Sequence, residues 1–221
     1  MKLRSFYVGL FAASLALPAC SSAPEPEPAA EEIAESPAVE QMLTGDHIAT
    51  DAGDLIIHPI AHATFYMGWD GKTILVDPVG GAEPFEGMPS PDLILLTDIH
   101  GDHLDNPTLE AVVGADTVIV APAAVVAQLP EGLAAQARTL DNGAELSLLN
   151  VGIEAIPMYN LTEDRLQFHD KGRGNGYVVT VGGKRIYSSG DTEDIPEMRA
   201  LQNIDVAFVC FNLPYTMTEE Q

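Results

Sequence analysis

The chain has 221 residues, enough for one sizeable domain preceded by a leader segment. Hydrophobic residues make up 46% of it, which excludes a wholly disordered protein and fits a globular α/β or β-rich one. The 33 acidic and 10 basic residues give a formal net charge of −23, and such a surface repels phosphate backbones, which argues against nucleic acid as a partner.

Residues 1–19 are interpreted as a lipoprotein signal peptide. Lys2 and Arg4 precede the apolar run Val8–Leu17, which is too short to span a bilayer because that needs about 20 apolar residues. The run closes with L-P-A-C, which resembles the bacterial signal whose cysteine, here Cys20, becomes the lipid-modified first residue. We predict export across the inner membrane and, from Ser21, an outer-membrane anchor facing the periplasm. An ordinary secretory signal with an incidental cysteine is the alternative.

Residues 20–45 are predicted to be a tether and residues 46–221 a folded domain. The tether is rich in Pro, Glu and Ala and lacks apolar periodicity, so it cannot bury enough surface to offset the entropy cost of ordering it. If Cys20 is acylated, Cys210 has no partner for a disulfide, and its apolar neighbours predict a buried thiol.

Short apolar runs separated by Gly, Pro and Asp follow along the domain and predict strands. The predicted strands are Asp54–His58, Ala61–Met67, Lys72–Asp77, Leu93–Thr97, Thr117–Ala121, Glu145–Leu149, Ile153–Met158, Tyr177–Val181, Lys184–Ser188 and Val206–Cys210. Asp70-Gly71 and Gly182-Gly183 predict tight hairpin turns. The predicted helices are Pro107–Val113, Pro122–Gln128 and Glu193–Leu201, with proline first in two of them. Two sheets packed face to face with helices outside satisfy this order.

The stretch TDIHGDHLD, residues 97–105, crowds metal-binding side chains where a predicted strand ends. Asp98, His100 and Asp102 can share one face only while the chain stays extended, and Gly101 allows a turn that brings His103 to the same pocket. Imidazole and carboxylate donors together suit zinc, manganese or iron. A solvated turn with two surface histidines is the alternative.

This stretch resembles the H-x-H-x-D-H signature of the metallo-β-lactamase superfamily, with Asp98 in place of the first histidine. Two further segments follow in that family's order. I-L-V-D-P resembles the earlier strand that ends in a structural aspartate, here Asp77, and S-G-D-T resembles the segment whose aspartate, here Asp191, bridges two metals. The resemblance runs from about His58 to Gln221 and is greatest to the branch of sugar-phosphate lactonase-like and N-acyl-phosphatidylethanolamine phospholipase-like proteins.

The resemblance implies an α/β fold, an αββα sandwich of two mixed sheets with outer helices and a metal centre at one sheet edge. One metal would be held by the first two positions of the signature, here Asp98 and His100, and by a histidine from a later loop. A second metal would be held by Asp102, His103 and a terminal histidine, and Asp191 would contact both metals.

The chain departs from that pattern in two ligands of the first metal. Asp98 replaces an imidazole, which favours harder ions. Asn160 stands where the third histidine is expected, and because an amide is a poor ligand, His169 in the next loop is the preferred donor, with Asn160 as the alternative. His62 and Asp77 are predicted to support the ligands from beneath, and a purely structural role is the alternative for His62.

These features predict a hydrolase with one or two divalent ions, zinc first and manganese or iron as alternatives. The ions would acidify a bound water and polarise a carbonyl or phosphoryl oxygen, and Asp102 would orient that water or accept its proton. The substrate is predicted to be a small ester, lactone, amide or phosphodiester. The alternative is a lipid-anchored protein of the same fold that binds a metal or ligand without turnover.

We expect the chain to be incomplete at its C-terminus. Thr218 and Gln221 have the spacing of a helix capping box, but the sequence stops there. In the family another strand and a terminal histidine follow, so the last strand and helix layer are predicted to be missing, which would expose apolar surface at Val206–Cys210. A branch that has shed this segment and uses one metal is the alternative.

Overall fold

The computed structural model describes residues 44–221. The signal peptide predicted over residues 1–19, and all but the last two residues of the predicted tether, lie outside the described residues. Within residues 44–221, no helix has both the length and the apolar character needed to cross a membrane.

Seven strands form the first sheet, in which sequence order equals spatial order. Neighbours are antiparallel from β1 to β4 and parallel from β4 to β7, so the sheet is mixed. Its strands are β1 (Asp46–Thr50), β2 (Gly53–Ala61), β3 (Thr64–Trp69), β4 (Lys72–Val76), β5 (Leu93–Leu95), β6 (Val118–Ala121) and β7 (Ala137–Thr139).

Five strands form the second sheet, in the order β12-β11-β10-β9-β8. Only β11 and β12 pair in parallel, so this sheet is also mixed. Its strands are β8 (Glu145–Leu148), β9 (Val151–Met158), β10 (Gly174–Val181), β11 (Lys184–Ser188) and β12 (Val206–Phe208). The predicted pair of mixed sheets is confirmed.

The helices of the described chain are short. They are α1 (Asn106–Val112), α2 (Ala123–Val126), α3 (Glu131–Ala135) and α4 (Pro196–Arg199), with 3-10 turns at Glu83–Phe85 and Glu163–Arg165. Leu109, Val125 and Leu133 from the first three helices are buried in one cluster with Leu75 and Ile94 of the first sheet. These helices therefore cover the outer face of the first sheet, while α4 packs beside β9.

Alternation along the central strands divides their side chains between two cores. Leu93 and Leu95 of β5 pack between the sheets against Tyr177 and Val179 of β10, whereas Ile94 between them faces the helices. Since successive strand residues point to opposite faces, a strand buried on both sides needs an unbroken apolar run, which β5 has. The carboxyl end of β4 leads directly into the loop with Asp77, and that of β5 into the stretch TDIHGDHLD.

Some strands and helices were missed by the prediction, and some helices begin at other residues than predicted. Two strands, β1 and β7, and helix α3 were not predicted. Contrary to the prediction, neither proline is the first residue of its helix. Pro122 is the N-cap residue of α2 and has an extended backbone conformation, and Pro107 is the second residue of α1, after Asn106. The helix predicted from Glu193 begins only at Pro196, because Ile195, the residue before the proline, has an extended backbone conformation, which proline favours in its predecessor.

Several turn and terminal contacts agree with the prediction. Asp70-Gly71 and Gly182-Gly183 all have positive φ, as tight hairpin turns require. The Thr218 amide donates to Gln221 Oε1 at 2.9 Å and the Gln221 amide donates to Thr218 Oγ1 at 3.3 Å, which are the two contacts of a capping box.

Cys210, which follows the last strand of the second sheet, is less buried than predicted. Phe208 stacks on Phe65 with ring centroids 4.2 Å apart, and Val206 and Phe208 are partly buried against the core between the sheets. Cys210 is half-buried, and the large apolar exposure begins after it, at Phe211 and Leu213.

Candidate metal centre

The stretch TDIHGDHLD, residues 97–105, forms a tight turn directly after β5. Thr97 and Asp98 continue from the strand and are fully buried, and the chain then folds back so that the amides of His103 and Leu104 both donate to the His100 carbonyl. This turn moves His103 beneath the loop and leaves Asp102 at its surface. The structure therefore brings the residues of the stretch to one place through a turn at His100 rather than through an extended strand.

Asp77 fixes the orientation of the His103 ring through a hydrogen bond. Its Oδ1 accepts from the Thr97 amide at 2.8 Å, and its Oδ2 accepts from Thr97 Oγ1 at 2.6 Å and from His103 Nδ1 at 2.8 Å. Because a carboxylate only accepts, the proton lies on Nδ1 and the Nε2 atom is directed into the site. All three residues are buried.

Asp191 lies between two imidazoles. Its Oδ2 is 3.3 Å from His103 Nε2 and 3.3 Å from His169 Nε2. Burial raises the pKa of Asp191, but the two neighbouring imidazoles outweigh this effect and hold the pKa well below its usual value. Burial lowers the pKa of His103, yet the neighbouring carboxylates of Asp191 and Asp77 raise it to about 11. This site therefore favours positive charge between its carboxylates.

Gly190 allows Asp191 to enter the site from the end of β11. Its φ is +58°, and a Cβ at this position would lie 2.6 Å from Met158 Sδ and 3.1 Å from the Asn175 carbonyl oxygen. Only glycine fits this close approach without displacing its neighbours.

His169 comes from the long loop between β9 and β10, and its ring is buried. Its carbonyl accepts from the Asn160 amide at 3.0 Å, while Asn160 Nδ2 donates to the carbonyls of Arg165 and Tyr215. Glu193 holds the same loop by accepting from the amides of Leu161 and Thr162, both at 2.7 Å. Of the two alternatives, the structure brings His169 to the cluster and uses Asn160 to support the loop.

The donor atoms fall into two groups, each lying within 4.8 Å of one another. Asp98, His100 and His169 make the first group. His62, Asp102 and His103 make the second, so His62 lies beside the donors rather than beneath them. Asp191 is in contact with one histidine of each group.

Asp98 forms an ion pair that sequence reasoning missed. Arg173 Nε donates to its Oδ1 at 3.0 Å and Arg173 Nη2 donates to its Oδ2 at 2.8 Å. The same Oδ2 is 2.9 Å from His100 Nδ1. Arg173 lies 75 positions after Asp98, in a glycine-rich run that carries no ligand signal of its own.

Two cavities open onto these groups. The larger, about 440 Å³, is lined by His62, His103 and Asp191 and by aromatic residues that include Phe65 and Phe208. The smaller, about 260 Å³, is lined by His100, Asp102, Phe168, His169, Asp191, Asn212 and Tyr215. The donor atoms are therefore reachable by water and by small molecules.

The residues present fit a divalent cation. Among the described residues, His103 Nε2 and both ring nitrogens of His169 are buried without a hydrogen-bond partner, and an unsatisfied buried polar atom costs about 1–3 kcal/mol. The carboxylates of Asp77, Asp98, Asp102 and Asp191 lie in this region, and among the described residues Arg173 pairs with Asp98 while the other three contact histidines. A cation would use the free lone pairs and balance the excess negative charge.

Known proteins resemble this chain over most of its described part. Residues 57–221 match the family model described as the beta-lactamase superfamily domain. A UPF0173 metal-dependent hydrolase of Thermodesulfovibrio yellowstonii is 28% identical over 172 aligned positions, and the match covers 67% of this chain and 64% of that protein. Another of that name, from Pyrococcus furiosus, is 32% identical over 171 aligned positions, and the match covers 72% of each chain.

A solved structure extends the likeness to three dimensions. A protein of Parabacteroides distasonis, named as a metal-dependent hydrolase, superimposes with a TM-score of 0.72 at 40% identity. The match covers 79% of this chain and 78% of that one. The chain thus spans between 64% and 78% of the length of these three similar proteins.

Proposed function

This chain belongs to the metallo-β-lactamase superfamily, and we propose that it is a metal-dependent hydrolase whose centre is the pair of donor groups around Asp191. Asp98, His100 and His169 would hold one divalent cation, and Asp102 and His103 would hold a second. The observation that carries this proposal is the contact of Asp191 Oδ2 with one buried, otherwise unpartnered imidazole nitrogen on either side. Zinc is the proposed metal, with manganese or iron as alternatives.

Bound cations would supply a water acidic enough to be deprotonated near neutral pH and a positive charge that polarises the substrate oxygen. The protein's own part begins with Asp102, whose half-exposed side chain faces the smaller cavity with Oδ2 4.0 Å from His103 Nε2. This carboxylate is placed to orient a water molecule and to accept its proton. Asp77 keeps the His103 ring in one orientation throughout.

The lining of the cavities supports a substrate without net negative charge. Neither cavity has a Lys or Arg among its lining residues, and the lining of the larger one includes Phe65, Phe208 and Phe211. An anionic substrate would meet the formal net charge of −23 with no cationic side chain to receive it. Within the four proposed substrate classes, esters, lactones and amides are therefore favoured over phosphodiesters.

Metal content and hydrolysis measured together test this proposal. Protein purified without chelator is expected to contain one or two equivalents of a divalent transition metal by elemental analysis. Removing it with chelator should abolish hydrolysis of p-nitrophenyl acetate and of simple lactones, and adding zinc or manganese should restore it. Hydrolysis of bis-p-nitrophenyl phosphate should be slower. A protein with no affinity for these metals would refute the proposal.

One observation favours a second candidate function. Both oxygens of Asp98 are already engaged by Arg173, a contact that competes with a cation for the first group. A protein that binds metal or ligand in this fold without turnover is therefore the alternative. Stoichiometric metal with no hydrolysis of any ester, lactone, amide or phosphodiester tested would favour it.

We also propose that the protein is anchored by lipid at Cys20, which supports a periplasmic, membrane-associated hydrolase. The proposal rests on the L-P-A-C string after a ten-residue apolar run. Cys20→Ser is expected to move the protein from the membrane fraction to the soluble one. Cys210→Ser is the matched control, because it removes the other cysteine and should leave the distribution unchanged. Membrane association that persists in Cys20→Ser would contradict the anchor.

A further inference from the structure

His62 stands at an unusual place in the backbone. It lies in the turn between β2 and β3 with φ +51°, directly after an irregularity in the pairing of these strands between Pro59 and Ala61. A positive φ is uncommon for residues other than glycine and costs most of them about 1 kcal/mol or more, although asparagine, aspartate and histidine adopt it more often than the rest. Bulges next to active sites commonly redirect a side chain. The positive φ and the irregular strand pairing together set the direction of the His62 side chain.

The side chain is directed at the second donor group. His62 Nε2 lies 3.1 Å from Asp102 Oδ2, and the His62 ring is edge-on to His103 with centroids 5.7 Å apart. Donor atoms of the three residues lie within 4.8 Å of one another, and His62 also lines the larger cavity together with His103 and Asp191.

An ion pair alone does not account for this arrangement. The side chains of His62 and Asp102 are 42% and 49% exposed, and exposed pairs stabilise by only about 0–1 kcal/mol. That gain is no larger than the cost of the strained turn. Binding by the imidazole would explain why a histidine stands in this turn.

We propose that His62 is a direct ligand of the cation held by Asp102 and His103, with Asp191 as the fourth donor. Two imidazoles and two carboxylates make a four-donor set suited to zinc. The proposal rests on the proposed function, because it assumes that the centre binds cations. It assigns to the turn between β2 and β3 a ligand that sequence reasoning had taken for a support.

His62→Asn tests this ligand with little damage to the turn, since asparagine tolerates positive φ. We expect the affinity of one metal equivalent to fall by about 100-fold or more, because loss of even an indirect partner of a ligand costs about 10- to 100-fold. Zinc content after dialysis and cobalt absorption spectra would measure this. His47→Asn, at another exposed histidine, is the matched control and should keep full metal content.

The outcomes separate the two proposals. Wild-type protein that binds no cation would overturn the proposed function and this inference together. Wild type that binds metal, with His62→Asn binding the same amount at the same affinity, would overturn the inference alone. We also expect the metal-free His62→Asn protein to unfold at the same temperature as wild type or higher, whereas loss of a purely structural histidine would lower it. Added imidazole should restore metal binding in His62→Gly.

Discussion

Asp191→Ala is expected to lose metal from both donor groups and to reduce hydrolysis by more than about 10³-fold. A single carboxylate oxygen lies 3.3 Å from an imidazole nitrogen of each group, so one substitution removes a shared donor from both. Loss of one transition-state contact already costs enzymes about 10²–10³ in rate. Elemental analysis of the purified variant and its hydrolysis of p-nitrophenyl acetate would measure the two effects. Adding His103→Ala should remove any residual metal.

The fold of Asp191→Ala is expected to persist, because the carboxylate is in contact with His103 and His169 rather than with the backbone. Asp170→Ala is the matched control. Asp170 is an exposed aspartate next to His169 whose side chain lies outside both donor groups. It should keep metal and activity. Full metal content in Asp191→Ala, with an intact fold by circular dichroism, would place the centre elsewhere.

Apolar patterning predicted the central part of the fold and missed its edges. β5 and β10 are recognisable because their side chains are buried on both faces. β1 has the sequence DHIAT, and most of its side chains are exposed, so it carries no alternation strong enough to predict a strand. β7 has only three residues, and α3 buries only Leu133 and contains a glycine, so pairing and packing with distant segments decide both elements.

The site was predictable where the sequence places donors close together. His100, Asp102 and His103 lie within four positions, and Asp191 follows a strand in a recognisable S-G-D-T segment. His62 was identified, but its distance from Asp102 depends on a positive φ and an irregular strand pairing that no local pattern reveals. Arg173 was missed because its partner, Asp98, lies 75 residues away. Long-range pairs of this kind follow from the tertiary fold alone.

Asp77→Asn is expected to weaken metal binding by the second group about 100-fold while changing the side-chain volume little. The new amide oxygen can still accept from the Thr97 amide, as Asp77 Oδ1 does at 2.8 Å. The new amide nitrogen then faces His103 Nδ1 and donates to it, which forces the imidazole proton onto Nε2. A protonated Nε2 cannot bind a cation, so the substitution prevents His103 from acting as a ligand although His103 itself is unchanged.

Stability should fall as well, by about 2–3 kcal/mol, because the charge-assisted hydrogen bonds that Asp77 Oδ2 accepts from Thr97 Oγ1 and His103 Nδ1 are lost and only neutral contacts replace them. Asp92→Asn is a matched control that separates the two effects. Asp92 Oδ2 accepts from the Thr73 amide at 2.9 Å and from Thr73 Oγ1 at 3.2 Å, as Asp77 accepts from the amide and hydroxyl of Thr97. Unlike Asp77, Asp92 has no hydrogen bond with a histidine among the described residues. Asp92→Asn should lower the free energy of unfolding and keep its metal. Equal metal affinity in Asp77→Asn and Asp92→Asn would mean that Asp77 only stabilises the fold and does not set the tautomer of His103.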